Sequence, residues 1–190
     1  MSVALQEIAA GSQGVHTYKD YCRLPEGAPY QLIGGELVLT PAPGTYHQVV
    51  SMKLGFQMVR FVMEHSLGLV LYAPVDVYLE ETETYQPDLV FISQERLSIV
   101  EPARIKGAPD LVVEILSPAT AYYDLRKKYK TYERCGVREY WLVDPEDKSI
   151  QVLVLKENKF VLFQQVEGEG EVSSSVIPGF RLPAPSIFQV

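Results

Sequence analysis

The sequence predicts an α+β fold with α/β mixing, a central mixed β-sheet flanked by helices and extended by β-hairpins. Three observations predict it. Leu111-Val112-Val113-Glu114-Ile115-Leu116 is an apolar run of strand length, as expected of a strand buried on both faces. The stretch from Asp110 to Val143 reads strand, helix, strand with short loops, a βαβ-like unit. The segments on either side read as hairpins, which add neighbours to the same kind of sheet.

Each element has a local reason. Residues 1–14 read as loosely ordered, and His16 to Leu24 as a short helix ahead of Pro25. Gln31-Leu32-Ile33, the turn signal Gly34-Gly35 and Glu36-Leu37-Val38-Leu39 form a hairpin, ended by Pro41-Ala42-Pro43-Gly44. His47 to His65 carries Val50, Leu54, Met58, Phe61 and Val62 at helical spacing, with Thr45 as N-cap. Val70 to Leu79 reads as a strand, Glu80 to Tyr85 as a polar turn, and Asp88 to Ile92 as the second strand of that hairpin. Arg96 to Lys106 reads as irregular. After the Asp110–Leu116 strand, Ser117-Pro118 closes it and a helix runs from Tyr122 to Cys135, with Gly136 as its terminating glycine. Glu139 to Val143 is a further strand stopped by Asp144-Pro145, and Ile150–Leu155 with Phe160–Gln165 make a last hairpin around Glu157-Asn158-Lys159.

At 190 residues, with no repeat, heptad or long linker, the chain 1–190 reads as one domain. It is long enough to bury about 70% of its unfolded surface. Cys22 and Cys135 form no CxxC pair or Cys/His cluster, which indicates neither a disulfide framework nor a zinc site. No basic, apolar leader and no membrane-length run is present, so a soluble, cytoplasmic protein is expected. The net charge of −7 argues against a nucleic-acid binder with a broadly basic surface. Positive charge is nevertheless concentrated, with Arg126, Lys127, Lys128, Lys130 and Arg134 close together.

Glu114 is the anomaly in the apolar run. Removing an unpaired carboxylate from water costs several kcal/mol, roughly, so a lysine or a metal is expected beside it. Helix phase from Tyr122 puts Leu125, Tyr129 and Tyr132 on an inward stripe with Lys128 at its edge, able to reach Glu114, while Lys127, Lys130 and Arg134 point to solvent. Asp88, behind Pro87, sits at a strand end where a pleated sheet can present it to a neighbour. Two such carboxylates repel unless a cation lies between them, and Mg²⁺ characteristically takes one or two carboxylates and keeps waters. Glu36 and His47 bracket the proline-rich loop and can add an acid and an imidazole to the same cleft. Two outcomes stay open on the residues alone: a structural Glu114–Lys128 ion pair, or a metal shared with Asp88.

Pro87-Asp88, Glu114 and Lys128 together resemble the PD-(D/E)XK nuclease superfamily. More narrowly, the chain from about Tyr18 to Pro185 resembles the Uma-two endonuclease family, restriction-endonuclease-like proteins of unknown function. The resemblance is carried by Gly35-Glu36-Leu37, His47, Gln86-Pro87-Asp88-Leu89-Val90, Pro109 to Pro118, Asp124 to Tyr132, and Gly136 to Asp144. It implies a restriction-endonuclease-like core and Mg²⁺- or Mn²⁺-dependent hydrolysis of phosphodiester bonds in nucleic acid, DNA first. It further implies Asp88 and Glu114 as metal ligands, Lys128 as the residue that orients or deprotonates the water or holds the phosphate, its pKa lowered by the nearby metal, and Glu36 and His47 as auxiliary groups. The position two after Glu114 is Leu116 rather than lysine, so the lysine comes from the following helix, Lys128 first and Lys127 next. Asp110 is too close to Glu114 on one strand to be the first acid and is expected to cap the strand entrance.

Two rivals belong to other classes. One is a catalytically inactive nuclease-fold module that binds nucleic acid or protein. The other is an acid and base pair of Glu36 and Glu114 acting on a glycoside, which leaves Lys128 unexplained. The sequence leaves strandedness, specificity and a homodimer open.

Overall fold

The computed structural model describes residues 14–118 and 120–189, so the expectation for residues 1–14 lies, apart from Gly14, outside the described residues. After the short helix α1 (Tyr18–Tyr21) come β1 (Tyr30–Ile33) and β2 (Glu36–Leu39), the long helix α2 (Thr45–Glu64), β3 (Gly68–Tyr72), β4 (Val77–Glu80), β5 (Glu83–Tyr85) and β6 (Leu89–Ser93). A 3₁₀ turn Gln94–Ile99 leads to β7 (Val100–Glu101), β8 (Arg104–Lys106) and β9 (Leu111–Ile115). π-helical turns Tyr123–Lys128 run into α3 (Tyr129–Cys135), followed by β10 (Glu139–Asp144), β11 (Ser149–Lys156), β12 (Lys159–Glu167), β13 (Glu171–Ser173), β14 (Arg181–Pro183) and α4 (Pro185–Phe188).

The strands form two six-stranded sheets and a small β13-β14 pair. The central sheet has the order β12-β11-β10-β9-β6-β3. It is mixed, because β9 and β10 run parallel around the intervening helix while the other neighbours are antiparallel. The predicted α+β class and βαβ unit are therefore present. The second sheet has the order β2-β1-β5-β4-β8-β7.

Strand alternation divides the core in two. Leu111, Val113 and Ile115 face one side with Val50, Leu54, Met58 and Val62 of α2, all buried. Burying each such side chain contributes about 1.5–3 kcal/mol. Val112 faces the other side, where Tyr132, Tyr140, Tyr85, Val77 and Ile105 join α3 to the second sheet. Glu114 projects on this second face, and that placement makes the site.

Local chemistry explains the joints. Gly34 and Gly35 have φ of 61° and 75°, the left-handed pair that a tight two-residue hairpin turn requires. Gly136 ends α3 at φ 87°. The N-cap of α2 is Gly44 rather than Thr45, which is already helical.

The single strand expected over Val70 to Leu79 is two strands in different sheets. Pro74 interrupts it because a residue without an N–H cannot continue a ladder. The first piece, β3, does pair with β6 as a hairpin partner. The expected polar turn contains β5, whose Glu83 and Thr84 are buried. Glu83 hides because its carboxylate accepts the Gly34 N–H and the Tyr85 hydroxyl. Arg96 to Lys106, expected to be irregular, holds part of the 3₁₀ turn and the β7-β8 hairpin, strands too short to display a period.

Candidate active site

Glu114 sits on β9 beside Leu142 of β10. On its other side the antiparallel register pairs Leu89 with Val113, so one further step sets Asp88 opposite Glu114. The Asp88 carboxylate is fixed there by the Ile115 N–H, which donates to its Oδ2 at 2.7 Å. The second acid expected on a neighbouring strand end is thus aimed at the first.

Lys128 arrives from the helix, as expected. Its Nζ donates to Glu114 Oε1 at 3.0 Å, and the Tyr132 hydroxyl donates to the same oxygen at 2.7 Å. Lys128 and Glu114 are 2% and 3% exposed. Leu125, assigned to the inward stripe, faces solvent instead. The π-helical turns advance by i→i+5 bonding, which shifts the phase, so that Asp124 and Lys128 point inward together.

Asp124 is a member of the cluster that sequence reasoning passed over. It is 1% exposed, and its Oδ1 lies 2.9 Å from Lys128 Nζ. The signal was available: an acid and a lysine at i and i+4 share a helix face. Tyr132, read as a core aromatic, also hydrogen-bonds Glu114. Tyr85 adds a wall, its ring 5.8 Å from Lys128 Nζ.

The charges here do not balance one to one. A single lysine faces Glu114 and Asp124, and Asp88 adds further negative potential. Burial pushes the Glu114 carboxyl up to about 8, against the opposing pull of Lys128 and with the help of Asp124 and Asp88. Burial works to deprotonate Lys128, but the two carboxylates outweigh it and hold the ammonium above its ordinary value. Lys128 therefore keeps its proton more firmly than an ordinary lysine, and Glu114 holds its own to higher pH than an ordinary carboxyl.

His47, in the first turn of α2, brings Nε2 to 3.0 Å from the Ile115 carbonyl and 3.5 Å from Asp88 Oδ1. With Nε2 assigned as the protonated nitrogen, the imidazole donates to that carbonyl. Nδ1 is buried without a hydrogen-bond partner among the described residues. Desolvation disfavours the imidazolium, but Asp88 and the Ile115 carbonyl prevail and raise its pKa.

Asp88, Glu114, His47 and Lys128 line one cavity of about 580 Å³. Its other walls are largely the Pro41–Gly44 loop, Pro74, Pro118 and the side chains of Gln31, Thr40 and Gln86, the last three unsuspected in the sequence. Glu36 does not join them. It stands on β2 with its side chain 66% exposed, held by Lys127 at 2.9 Å. Lys127 is thereby placed outside the buried cluster. Asp110, expected to be structural, accepts from the Ser93 N–H, Arg96 and Arg138 beyond the far end of β9.

The residues offer a cation hard oxygen donors on one wall: the Asp88 and Glu114 carboxylates, with the Ile115 carbonyl beside them. Among the described residues no three His, Cys, Asp or Glu side chains converge as a complete cage. A partial set of this kind suits a metal that keeps waters, as Mg²⁺ does, and does not suit zinc.

A mixed sheet carrying paired acids on adjacent strands, with helices on its faces, is a restriction-endonuclease-like fold. The crystal structure of a "putative nuclease belonging to DUF820" from Anabaena variabilis superposes with a TM-score of 0.75 at 21% identity, covering 90% of this chain and 97% of that one. The model of the Uma2 family, described as "Putative restriction endonuclease", matches residues 16–185, and the chain belongs to that family. Among curated proteins none matches. No helix among the described residues is long and apolar enough to cross a membrane.

Proposed function

We propose that the chain is a Mg²⁺- or Mn²⁺-dependent endonuclease that hydrolyses phosphodiester bonds in DNA, acting in the cytoplasm. One observation supports this above the others: Asp88 and Glu114, opposed across two strands, share a cavity wall with the cation Lys128. Membership of a family described as "Putative restriction endonuclease" supports it independently.

In this reading Asp88 and Glu114 hold the metal, with the Ile115 carbonyl available as a third oxygen. The bound metal would acidify a water and neutralise charge developing on the phosphoryl group. The chain's own residues do the rest. Lys128, anchored by Glu114 and Asp124 and itself almost wholly buried, would present fixed positive charge to a phosphate oxygen entering the cavity. Tyr132 holds Glu114 Oε1 in place, leaving the carboxylate less freedom to rotate away. His47 steadies the Ile115 carbonyl and the Asp88 carboxylate together, and the Ile115 N–H fixes the latter's second oxygen. Glu36 and Lys127 have no part in the chemistry.

Incubation of purified protein with supercoiled plasmid and Mn²⁺ tests the reading. Nicking or linearisation is expected, dependent on the metal and abolished by Asp88→Ala and by Glu114→Ala. Equal cleavage by both variants would assign the activity elsewhere.

A further inference from the structure

The outer face of the helix that carries Lys128 holds most of the chain's concentrated positive charge, against a net charge of −7. It is hollowed twice. One hollow is lined by Tyr122, Arg126, Lys127 and Lys130. Its neighbour shares Arg126 and Lys130 and adds Leu125, Tyr129, Glu133, Arg134, Asn158 and Lys159.

Not all of these cations are available. Lys127 is paired with Glu36, and Arg134 with Glu80 through two bonds. Lys159, at the rim, is paired with Glu133. Arg126 and Lys130 have no carboxylate partner among the described residues, and both are exposed. Uncompensated cations one helical turn apart, in an acidic protein, form a site for an anion with repeated charges.

The aromatic groups narrow the partner. Tyr122 is 64% exposed and lies edge-on to Tyr123, 5.5 Å between centroids. Leu125, on the same segment, is 45% exposed. A cationic track beside an exposed ring is an arrangement that binds single-stranded nucleic acid, with phosphates on the cations and a base against the ring. Acidic peptides would use the cations and leave the rings idle. Position supports the same partner, since Thr120 and Lys128 of the same segment line the cavity.

We infer that the Tyr122, Arg126 and Lys130 face is a binding track for single-stranded nucleic acid that feeds the cavity. The inference rests on the nucleic-acid reading above and names the form of polymer and the surface that holds it.

The test measures binding and cleavage separately. Fluorescein-labelled oligothymidylate is titrated in EDTA, where no cleavage occurs, against wild type, Arg126→Glu/Lys130→Glu and Tyr122→Ala, with matching melting curves confirming the fold. Wild type should bind the single strand more tightly than a duplex of equal length. The double variant should weaken binding at least about tenfold, with the slope of log affinity against log salt reduced by about 1.4, two phosphates' worth. Tyr122→Ala should weaken it severalfold with the slope unchanged. Unaltered binding by either variant, or displacement by polyglutamate as effective as by unlabelled oligothymidylate, would overturn the inference.

Cleavage keeps its failure distinct from that of the nuclease reading. With Mn²⁺, bis(p-nitrophenyl) phosphate hydrolysis should be equal in wild type and double variant, while oligonucleotide cleavage falls in the variant. Equal oligonucleotide cleavage by both would sink the track and spare the nuclease. Wild type that binds the strand as described and cleaves neither substrate would sink the nuclease and spare the track.

Discussion

Asp110 and Glu114 lie four residues apart at the two ends of β9, both shut away from water, and their surroundings are opposite. Asp110 meets the Ser93 N–H and two guanidinium groups, Arg96 and Arg138, which reach out to solvent. Burial alone would raise its carboxyl, but the Ser93 N–H and Arg96 hold it below its ordinary value of 3.8. Glu114 shares one buried lysine with Asp124 and is pushed up from 4.5 to about 8. The first carboxylate is over-supplied with donors and stands apart from the cavity that His47 and Lys128 line. The second is under-supplied and lines it. Burial of a charge does not by itself separate a structural residue from a functional one; the ratio of cations to anions around it does.

The harshest way to break this contrast is to remove the shared cation. Lys128→Met would leave Glu114 and Asp124 facing each other in the core. We expect it to destabilise the fold by about 3–5 kcal/mol, the usual cost of breaking a buried pair from one side. Urea denaturation measures it, and a loss below about 1 kcal/mol would mean that Lys128 does not hold the cluster.

Glu114→Gln keeps shape and removes charge. It should lower phosphodiester cleavage by a hundredfold or more, about 2.7 kcal/mol or above in the barrier, while the melting temperature stays near that of wild type. Asp110→Asn should do the reverse, costing about 2–3 kcal/mol of stability through donors left unpaired, with cleavage at permissive temperature retained. Finding both losses at one residue and neither at the other would erase the distinction drawn between the two ends of β9.

Linkage sharpens the same comparison. Asp110 has its pKa lowered on folding, so its contribution is full above 3.8 and is lost as pH falls through the lower folded value. Melting temperatures of wild type should drop in that acid range, and those of Asp110→Asn should drop less. Parallel acid limbs in the two proteins would mean that Asp110 is not the group responsible. The raised pKa of Glu114 acts in the opposite sense, favouring the folded state toward lower pH.

The division between the ends of β9 was partly legible in the chain. The apolar run announced a buried strand, the proline before Asp88 marked a strand end, and Glu114 was conspicuous among aliphatics. The hairpin at Gly34-Gly35 and the βαβ unit followed from turn chemistry and connection length. Register and phase were not available in the same way. Leu125 was misplaced because nothing in Tyr123–Lys128 signals π-helical bonding, whereas Asp124 was legible from its i, i+4 spacing to Lys128 and was passed over. β5 escaped because its buried Glu83 is satisfied by Gly34, 49 residues away, and polarity in a sequence carries no record of such a partner. Gln31, Thr40 and Gln86 reached the cavity through a second sheet whose order β2-β1-β5-β4-β8-β7 is not implied by any local pattern.

The smallest expected effect concerns the two residues that sequence alone could not separate from the site. Lys127 adjoins Lys128, and Glu36 follows the hairpin glycines, but they meet each other at the surface, 36% and 66% exposed, away from Glu114. An exposed pair of this kind contributes about 0–1 kcal/mol, because solvent screens the attraction and two long side chains must be ordered to make it. Lys127→Ala and Glu36→Ala should therefore each shift stability by less than about 0.5 kcal/mol and leave hydrolysis of bis(p-nitrophenyl) phosphate within a factor of about two. Loss of that hydrolysis in Lys127→Ala, with Lys128→Arg still active, would transfer the catalytic lysine to position 127 and return Glu36 to the site.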